Sequence, residues 1–140
     1  MELVKPVILN GRLHHLEIWV KDYSLAKESL GWLFEQLGYR LTSEWPNGGS
    51  WQGLGEYLVL ESGPDVMGTH ERRNAGLNHL AFKAGSRLQV DSLVGAAVEH
   101  GWALMFADKH PWAGGPEHFA AYLSNQDGFE VELVADEESA

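Results

Sequence analysis

Two pentapeptides of this chain begin with the same step, His15-Leu16-Glu17-Ile18-Trp19 and His79-Leu80-Ala81-Phe82-Lys83, 64 residues apart. Histidine is the usual imidazole ligand of metals and the side chain that exchanges protons near neutrality, so a repeated histidine at a strand start points to one of those two tasks. Each half also closes on an apolar strand that carries glutamate, Tyr57-Leu58-Val59-Leu60-Glu61 and Phe129-Glu130-Val131-Glu132-Leu133. The chain has no cysteine. Thiol nucleophiles, disulfides and thiolate sites are therefore absent, and any metal must be held by imidazole and carboxylate.

Strand alternation decides where these groups point. Leu16, Ile18 and Val20 share one side of the first strand, and His15, Glu17 and Trp19 share the other. A helix packed on the sheet needs the apolar side, so His15 faces away from it. By the same parity Leu80 and Phe82 face the second helix and leave His79 and Ala81 opposite. Phe129, Val131 and Leu133 turn Glu130 and Glu132 to the His79 side, and Leu58 and Leu60 turn Val59 and Glu61 to the His15 side. If the two sheets curl about a pseudo-twofold, two histidines and at least two glutamates meet in one concave cavity.

Two helices must hold these strands. In "SLAKESLGWLFEQLG", Ala26, Leu30, Leu33, Phe34 and Leu37 recur at helical spacing, with Ser24 as the expected cap and Gly38 as the terminating glycine. In "SRLQVDSLVGAAVEHG", Ser86 and Gln89 form a capping box. Val90, Leu93, Val94, Ala97 and Val98 make the apolar stripe, and Gly101 ends the helix. From His15 to Gly38 is 23 residues and from His79 to Gly101 is 22. Three short strands follow each helix, separated by turn signals such as Pro46-Asn47-Gly48-Gly49. Strand, helix and three strands thus occur twice, an internal repeat with a glycine-bearing linker between. The expected architecture is α+β: a single domain over residues 1–140, built of two βαβββ modules at about 12–62 and 76–135. Their curved mixed sheets enclose a central cavity.

Bulk properties narrow the partners. At 140 residues, 44% hydrophobic and 21% charged, the chain has a globular balance. A net charge of −10, with no basic cluster beyond Arg72-Arg73, argues against nucleic acid and anionic membranes. No apolar run reaches the roughly 20 residues of a membrane helix, and "MELVKPVILN" lacks the parts of a signal peptide. The expectation is a soluble, cytoplasmic, acidic domain that acts on a small molecule. His14, His70 and His100 are expected to be structural or at the surface. The long loop "ADKHPWAGGPEHF" has the length and glycine content of a binding loop.

Paired modules with a histidine opening each first strand and a closing "DG-x-x-x-E" (Asp127, Gly128, Glu132) resemble the vicinal oxygen chelate superfamily, from about Arg12 to Val134. That superfamily includes glyoxalase I, extradiol dioxygenases, fosfomycin-resistance transferases and bleomycin-resistance proteins. The resemblance implies a divalent metal, Zn, Ni, Fe or Mn, on His15, His79 and Glu132. Glu61 matches the further carboxylate of glyoxalase-like members, as a fourth ligand or as a proton shuttle. "HFAAYLSNQDGFEVE" partly resembles the extradiol dioxygenase signature through Tyr122, Asn125, Gly128 and Glu132. Gln126 stands where that pattern has proline, and His118 lies only four residues before Tyr122. Tyr122 and His118 join Glu61 as candidate catalytic residues. No separate organic cofactor site is expected. The resemblance implies a metal-dependent enzyme for a substrate with vicinal oxygens, with lyase or isomerase chemistry ahead of dioxygenation because of Glu61. It also implies a homodimer. Metal-free sequestration of a small molecule, as in bleomycin resistance, is the alternative, and fosfomycin-type thiol transfer is a third.

Overall fold

Alternating strands give two four-stranded sheets in the structure, a computed structural model that describes residues 10–136. The first contains β1 (His15–Trp19), β2 (Arg40–Trp45), β3 (Gly48–Gln52) and β4 (Tyr57–Glu61), in the order β1-β4-β3-β2. The second contains β5 (Leu80–Lys83), β6 (Trp102–Met105), β7 (Ala120–Asn125) and β8 (Glu130–Val134), in the order β5-β8-β7-β6. In each, the opening strand pairs parallel with the closing one and the other pairs are antiparallel. One strand order used twice is the repeat in three dimensions, and the fold is α+β as the sequence implies.

The first helical stretch runs through α1 (Tyr23–Ala26), a π-helical segment (Lys27–Gly31) and α2 (Trp32–Gln36). Its cap is Asp22 rather than the expected Ser24. The Asp22 carboxylate accepts from the Leu25 amide at 3.1 Å, which leaves Ser24 inside the first turn. The π segment interrupts the regular spacing, yet Ala26, Leu30, Leu33 and Phe34 are fully buried. In the second module α3 (Arg87–Ala97) starts from the Ser86/Gln89 capping box. Val90 and Ala97 are buried, but Val98 is exposed, because a 3-10 turn begins there and rotates it off the apolar stripe. Gly38 and Gly101 end the helices with φ of 99° and 87°.

The β1 to β4 register places His15 beside Tyr57, Glu17 beside Val59 and Trp19 beside Glu61. In β2 an irregularity between Leu41 and Ser43 shifts the register by one residue. That shift changes parity. Leu41, opposite Trp51, stays on the helix side, while Trp45, opposite Gly48, moves to the side of Glu61. Gly48 has no side chain for a reason: a Cβ there would sit 2.5 Å from the Leu60 carbonyl oxygen and 2.6 Å from the Trp45 indole nitrogen. The indole crosses over this glycine to reach the carboxylate beyond it.

The helix-facing sides of both sheets merge into one hydrophobic cluster, from Ile18, Phe34, Trp51 and Leu60 to Val90, Trp102, Leu123 and Leu133. Polar groups inside it are paired. Ser29, in the π segment, accepts from the Trp102 indole through its carbonyl at 3.1 Å and from the Asn125 amide through its hydroxyl at 3.1 Å. The Asn125 side-chain oxygen in turn accepts from the backbone amides of Asp127 and Phe129, at 3.1 and 2.9 Å. Asn125 therefore ties the first helix to the turn that launches β8. Among the described residues no helix is long and apolar enough to cross a membrane.

Asn125→Ala strips the acceptor from the Asp127 and Phe129 amides and a donor from the buried Ser29 hydroxyl oxygen, each buried group costing about 1–3 kcal/mol when left unpaired. We expect a loss of roughly 2–4 kcal/mol in urea-induced unfolding with the slope unchanged. A loss below about 0.5 kcal/mol would contradict the coupling of the modules through this residue.

Candidate functional site in the second module

β8 lies between β5 and β7, so Glu132 has Ala81 on one side and Tyr122 on the other. It is only 6% exposed. A carboxylate so buried persists as an anion only with donors around it. His79, one residue before β5, brings its Nε2 to 3.1 Å from Oε1. His118 comes from the loop before β7 on the parity of Tyr122, and its Nε2 makes a short hydrogen bond to Oε2. The Tyr122 phenol, opposite Glu132 across the strand pair, lies beside this carboxylate. Burial pushes the Glu132 carboxyl up, but the bonds from His118, Tyr122 and His79 outweigh it and hold the group below its ordinary value. Burial and the adjacent carboxylate push the Tyr122 phenol up to about 12. The result is an anion ringed by three side chains that carry exchangeable protons.

Neighbours shape this centre. Glu130, on the same face and 4% exposed, is neutralised by an ion pair with Arg72 at 3.1 Å. The Tyr122 ring stands edge-on to His79 and to Phe106, with centroids 6.0 and 5.6 Å apart. Phe106, the one non-glycine residue with positive φ among those described, holds φ of 54° beside this ring. Asn78 bridges the linker to the site, donating to the Arg72 carbonyl at 3.0 Å and facing His79 Nδ1 at 2.8 Å.

The first module presents different chemistry on the equivalent face. His15 is exposed, stacked on Tyr57 at 4.7 Å and 2.9 Å from the His14 ring through the Nδ1 atoms. Glu61 accepts from the Trp45 indole at 2.7 Å, and Glu17 from the Trp19 indole at 2.7 Å. Glu17, Trp19, Glu61 and Asp65 line a recess of about 200 Å³.

Of the residues proposed from the sequence, His79, His118, Tyr122 and Glu132 come together. His15 and Glu61 keep the predicted parity but stand on the other sheet, and no hydrogen bond or ring contact links them to that cluster. Among the described residues no group of three or more His, Asp or Glu is arranged to hold a metal ion. The two imidazoles of the cluster take opposite oxygens of Glu132 and close around the carboxylate, not around a shared point. Among the described residues, His15, His79 and Glu132 thus do not converge on one point. Sequence reasoning missed Trp45, whose parity depends on the bulge, and Arg72 and Asn78. Arg72 lies in the linker and Asn78 just before β5, where no periodicity marks their direction.

Two repeated βαβββ modules and a closing-strand carboxylate define the class of protein to compare with. No protein-family profile matches the chain. It is 38% identical over 125 residues to the uncharacterized protein YqjT of Bacillus subtilis (strain 168), covering 88% of this chain and 98% of that protein. A crystal structure of a proposed glyoxalase from Bacillus halodurans superposes with a TM-score of 0.85 at 38% identity, over 91% of this chain and 97% of the other. A glyoxalase/bleomycin resistance protein from Albidiferax ferrireducens T118 gives a TM-score of 0.70 at 18% identity, over 90% and 99%. Lactoylglutathione lyase from Agrobacterium tumefaciens gives 0.60 at 16%, over 91% and 96%, a likeness of fold. The chain belongs to the vicinal oxygen chelate superfamily, with the glyoxalase and bleomycin-resistance proteins.

His70 departs from its expected place at the surface. Its ring stacks on Phe129 at 4.1 Å, nearly coplanar, and its Nε2 is buried without a hydrogen-bond partner. Burial lowers its pKa from the ordinary imidazole value, against a smaller upward pull from Glu71. As pH falls past about 6.5 the unfolded imidazole takes up a proton while the folded one does not. Stability is therefore lost across the window from that value down to the folded pKa. We expect the wild type to lose more unfolding free energy between pH 7 and pH 5 than His70→Gln does. Parallel curves for the two proteins in denaturant titrations would refute the assignment.

Proposed function

We propose that the protein is a cytoplasmic enzyme of the glyoxalase type that carries out lyase or isomerase chemistry on a small substrate with vicinal oxygens. What carries this reading is the buried Glu132 anion with His79, His118 and Tyr122 on it. Moving a proton between adjacent carbons or oxygens needs an acceptor and a donor held a few ångströms apart in partial isolation from water, and positioned side chains contribute about 10²–10⁴-fold to such steps. The two imidazoles can serve as acceptor and donor, and Glu132 stabilises whichever of them becomes charged. Tyr122, with its phenol held neutral, can donate a hydrogen bond to a developing oxyanion. Ring-cleaving dioxygenation has less support, because Gln126 stands where the extradiol pattern has proline and His118 lies only four residues before Tyr122.

The divalent ion that the family implies enters this reading only with a second copy of the chain. His15 stands exposed with Glu61 on an uncovered sheet face, and a homodimer is the arrangement that would bring them to the His79–Glu132 pair of another copy. A second reading rests on the recess of Glu17, Trp19, Glu61 and Asp65. Three carboxylates beside an indole suit an organic cation, and a binding protein without metal would use them for sequestration.

Turnover of 2-oxoaldehyde–thiol adducts and 2-hydroxycarbonyl compounds, with and without Zn, Ni, Mn or Fe(II), separates the two. We expect turnover that falls about 10²–10⁴-fold in Glu132→Gln with the circular dichroism unchanged. In elemental analysis after metal loading we expect about one ion per chain, lost in His79→Ala, and a dimeric mass in sedimentation. A monomer without turnover or metal that binds organic amines would overturn the enzyme in favour of sequestration.

A further inference from the structure

We infer that Asn78 is a positioning residue that makes the two imidazoles on Glu132 inequivalent: it fixes the proton of neutral His79 on Nδ1, so that Nε2 offers a lone pair to the site, while His118 presents an Nε2–H.

The first link in this chain of constraints is a backbone carbonyl. The Arg72 carbonyl oxygen can only accept a hydrogen bond, so the Asn78 atom 3.0 Å from it is the amide nitrogen, Nδ2. The amide orientation follows without appeal to the histidine. Its Oδ1 then lies 2.8 Å from His79 Nδ1, and an amide oxygen is only an acceptor. Nδ1 therefore carries a proton. A neutral imidazole has one N–H, so Nε2 is bare. Turning the ring over would forfeit both the Asn78 and the Glu132 contacts.

The bare nitrogen faces the Glu132 carboxylate at 3.1 Å, a lone pair against an anion. Such a contact is favourable only when Nε2 gains a second proton or faces a cation. At Nε2 His79 thus presents an acceptor to the site. His118 differs. Among the described residues its Nδ1 has no hydrogen-bond partner, so a neutral ring is free to place its proton on Nε2 and donate it to Glu132 Oε2. One imidazole accepts and the other donates. This assignment rests on the Glu132 centre proposed above, and it supplies that centre with a direction of proton movement. A ligating or basic histidine held by an outer partner is a general pattern; here the partner is an amide, itself oriented by the linker.

Holding the linker at Arg72 is the alternative role for Asn78, and the test reads the tautomer rather than the fold. Long-range ¹H–¹⁵N correlation spectra of the histidine side chains are recorded on metal-free, substrate-free protein at about pH 8.5, above the ordinary imidazole value of about 6.5. In the wild type we expect His79 to show a protonated Nδ1 and a bare Nε2, with His118 reversed. Asn78→Ala removes the acceptor, and His79 should change to the Nε2–H form that Glu132 can bind. Asn78→Asp restores an acceptor but cannot donate to the Arg72 carbonyl, so it should keep the Nδ1–H form despite the lost linker bond. A wild-type His79 with its proton on Nε2, or the same tautomer in wild type and Asn78→Ala, would overturn the inference. The spectra need no turnover. Expected tautomers in a protein without activity would sink the proposed reaction and leave this assignment standing, and the converse outcome would do the reverse.

Discussion

Both sheets bury their apolar sides in one hydrophobic cluster, and every other feature of the molecule is arranged under that constraint. Because side chains alternate along a strand, committing Ile18, Leu58, Leu60, Val131 and Leu133 to the core commits Glu17, Val59, Glu61, Glu130 and Glu132 to the opposite faces. A register slip of one residue would carry whole strands of polar groups into the cluster, at a cost no local contact could offset. The polar faces are therefore a consequence of the core. Ser29 and Asn125 are buried polar groups that the core tolerates because they satisfy one another and the neighbouring backbone.

On the second sheet the same logic forces chemistry. Glu130 and Glu132 are both nearly inaccessible to water, two residues apart on one face. Two buried like charges at that separation would repel, and one would take up a proton unless each had its own compensation. Arg72 supplies it for Glu130, and His79, His118 and Tyr122 supply it for Glu132. The division matters. Arg72 pairs with Glu130 through a guanidinium, a permanent cation, whereas imidazoles such as those on Glu132 are side chains that can give up or take protons.

Strands and their parity were legible in the sequence because period two is a local signal: His15, His79, Glu61 and Glu132 all lie on the faces assigned to them. Helix positions were legible from capping and glycine signals, and the Ser86/Gln89 box formed as read. What escaped was set by longer-range or irregular backbone. Asp22 displaced Ser24 as cap by two positions. The β2 bulge reversed the parity of Trp45, which no period-two pattern could show. His70 and Arg72 in the linker and Asn78 just before β5 lie outside any periodic segment, so their direction was fixed only by the side chains they meet across the fold. The expected meeting of His15 with His79 depends on how two sheets are placed in space, and strand parity carries no information about that.

Backbone symmetry and chemical asymmetry coexist in this repeat, and the difference is visible in the donors that each closing-strand glutamate receives. Glu61 and its neighbour Glu17 accept from the indoles of Trp45 and Trp19. Indole N–H donates and does not exchange its proton with a substrate under ordinary conditions. Glu132 faces imidazoles, which do. A tryptophan-bound carboxylate is a fixed negative charge suited to attracting a cation or orienting a polar ligand. An imidazole-bound carboxylate is a reservoir whose partners can change charge state during a reaction. The two halves thus share one strand order and differ in one property, the mobility of the proton on the donor. On that criterion the proton-exchanging groups lie in the second module and the indole-bound carboxylates in the first.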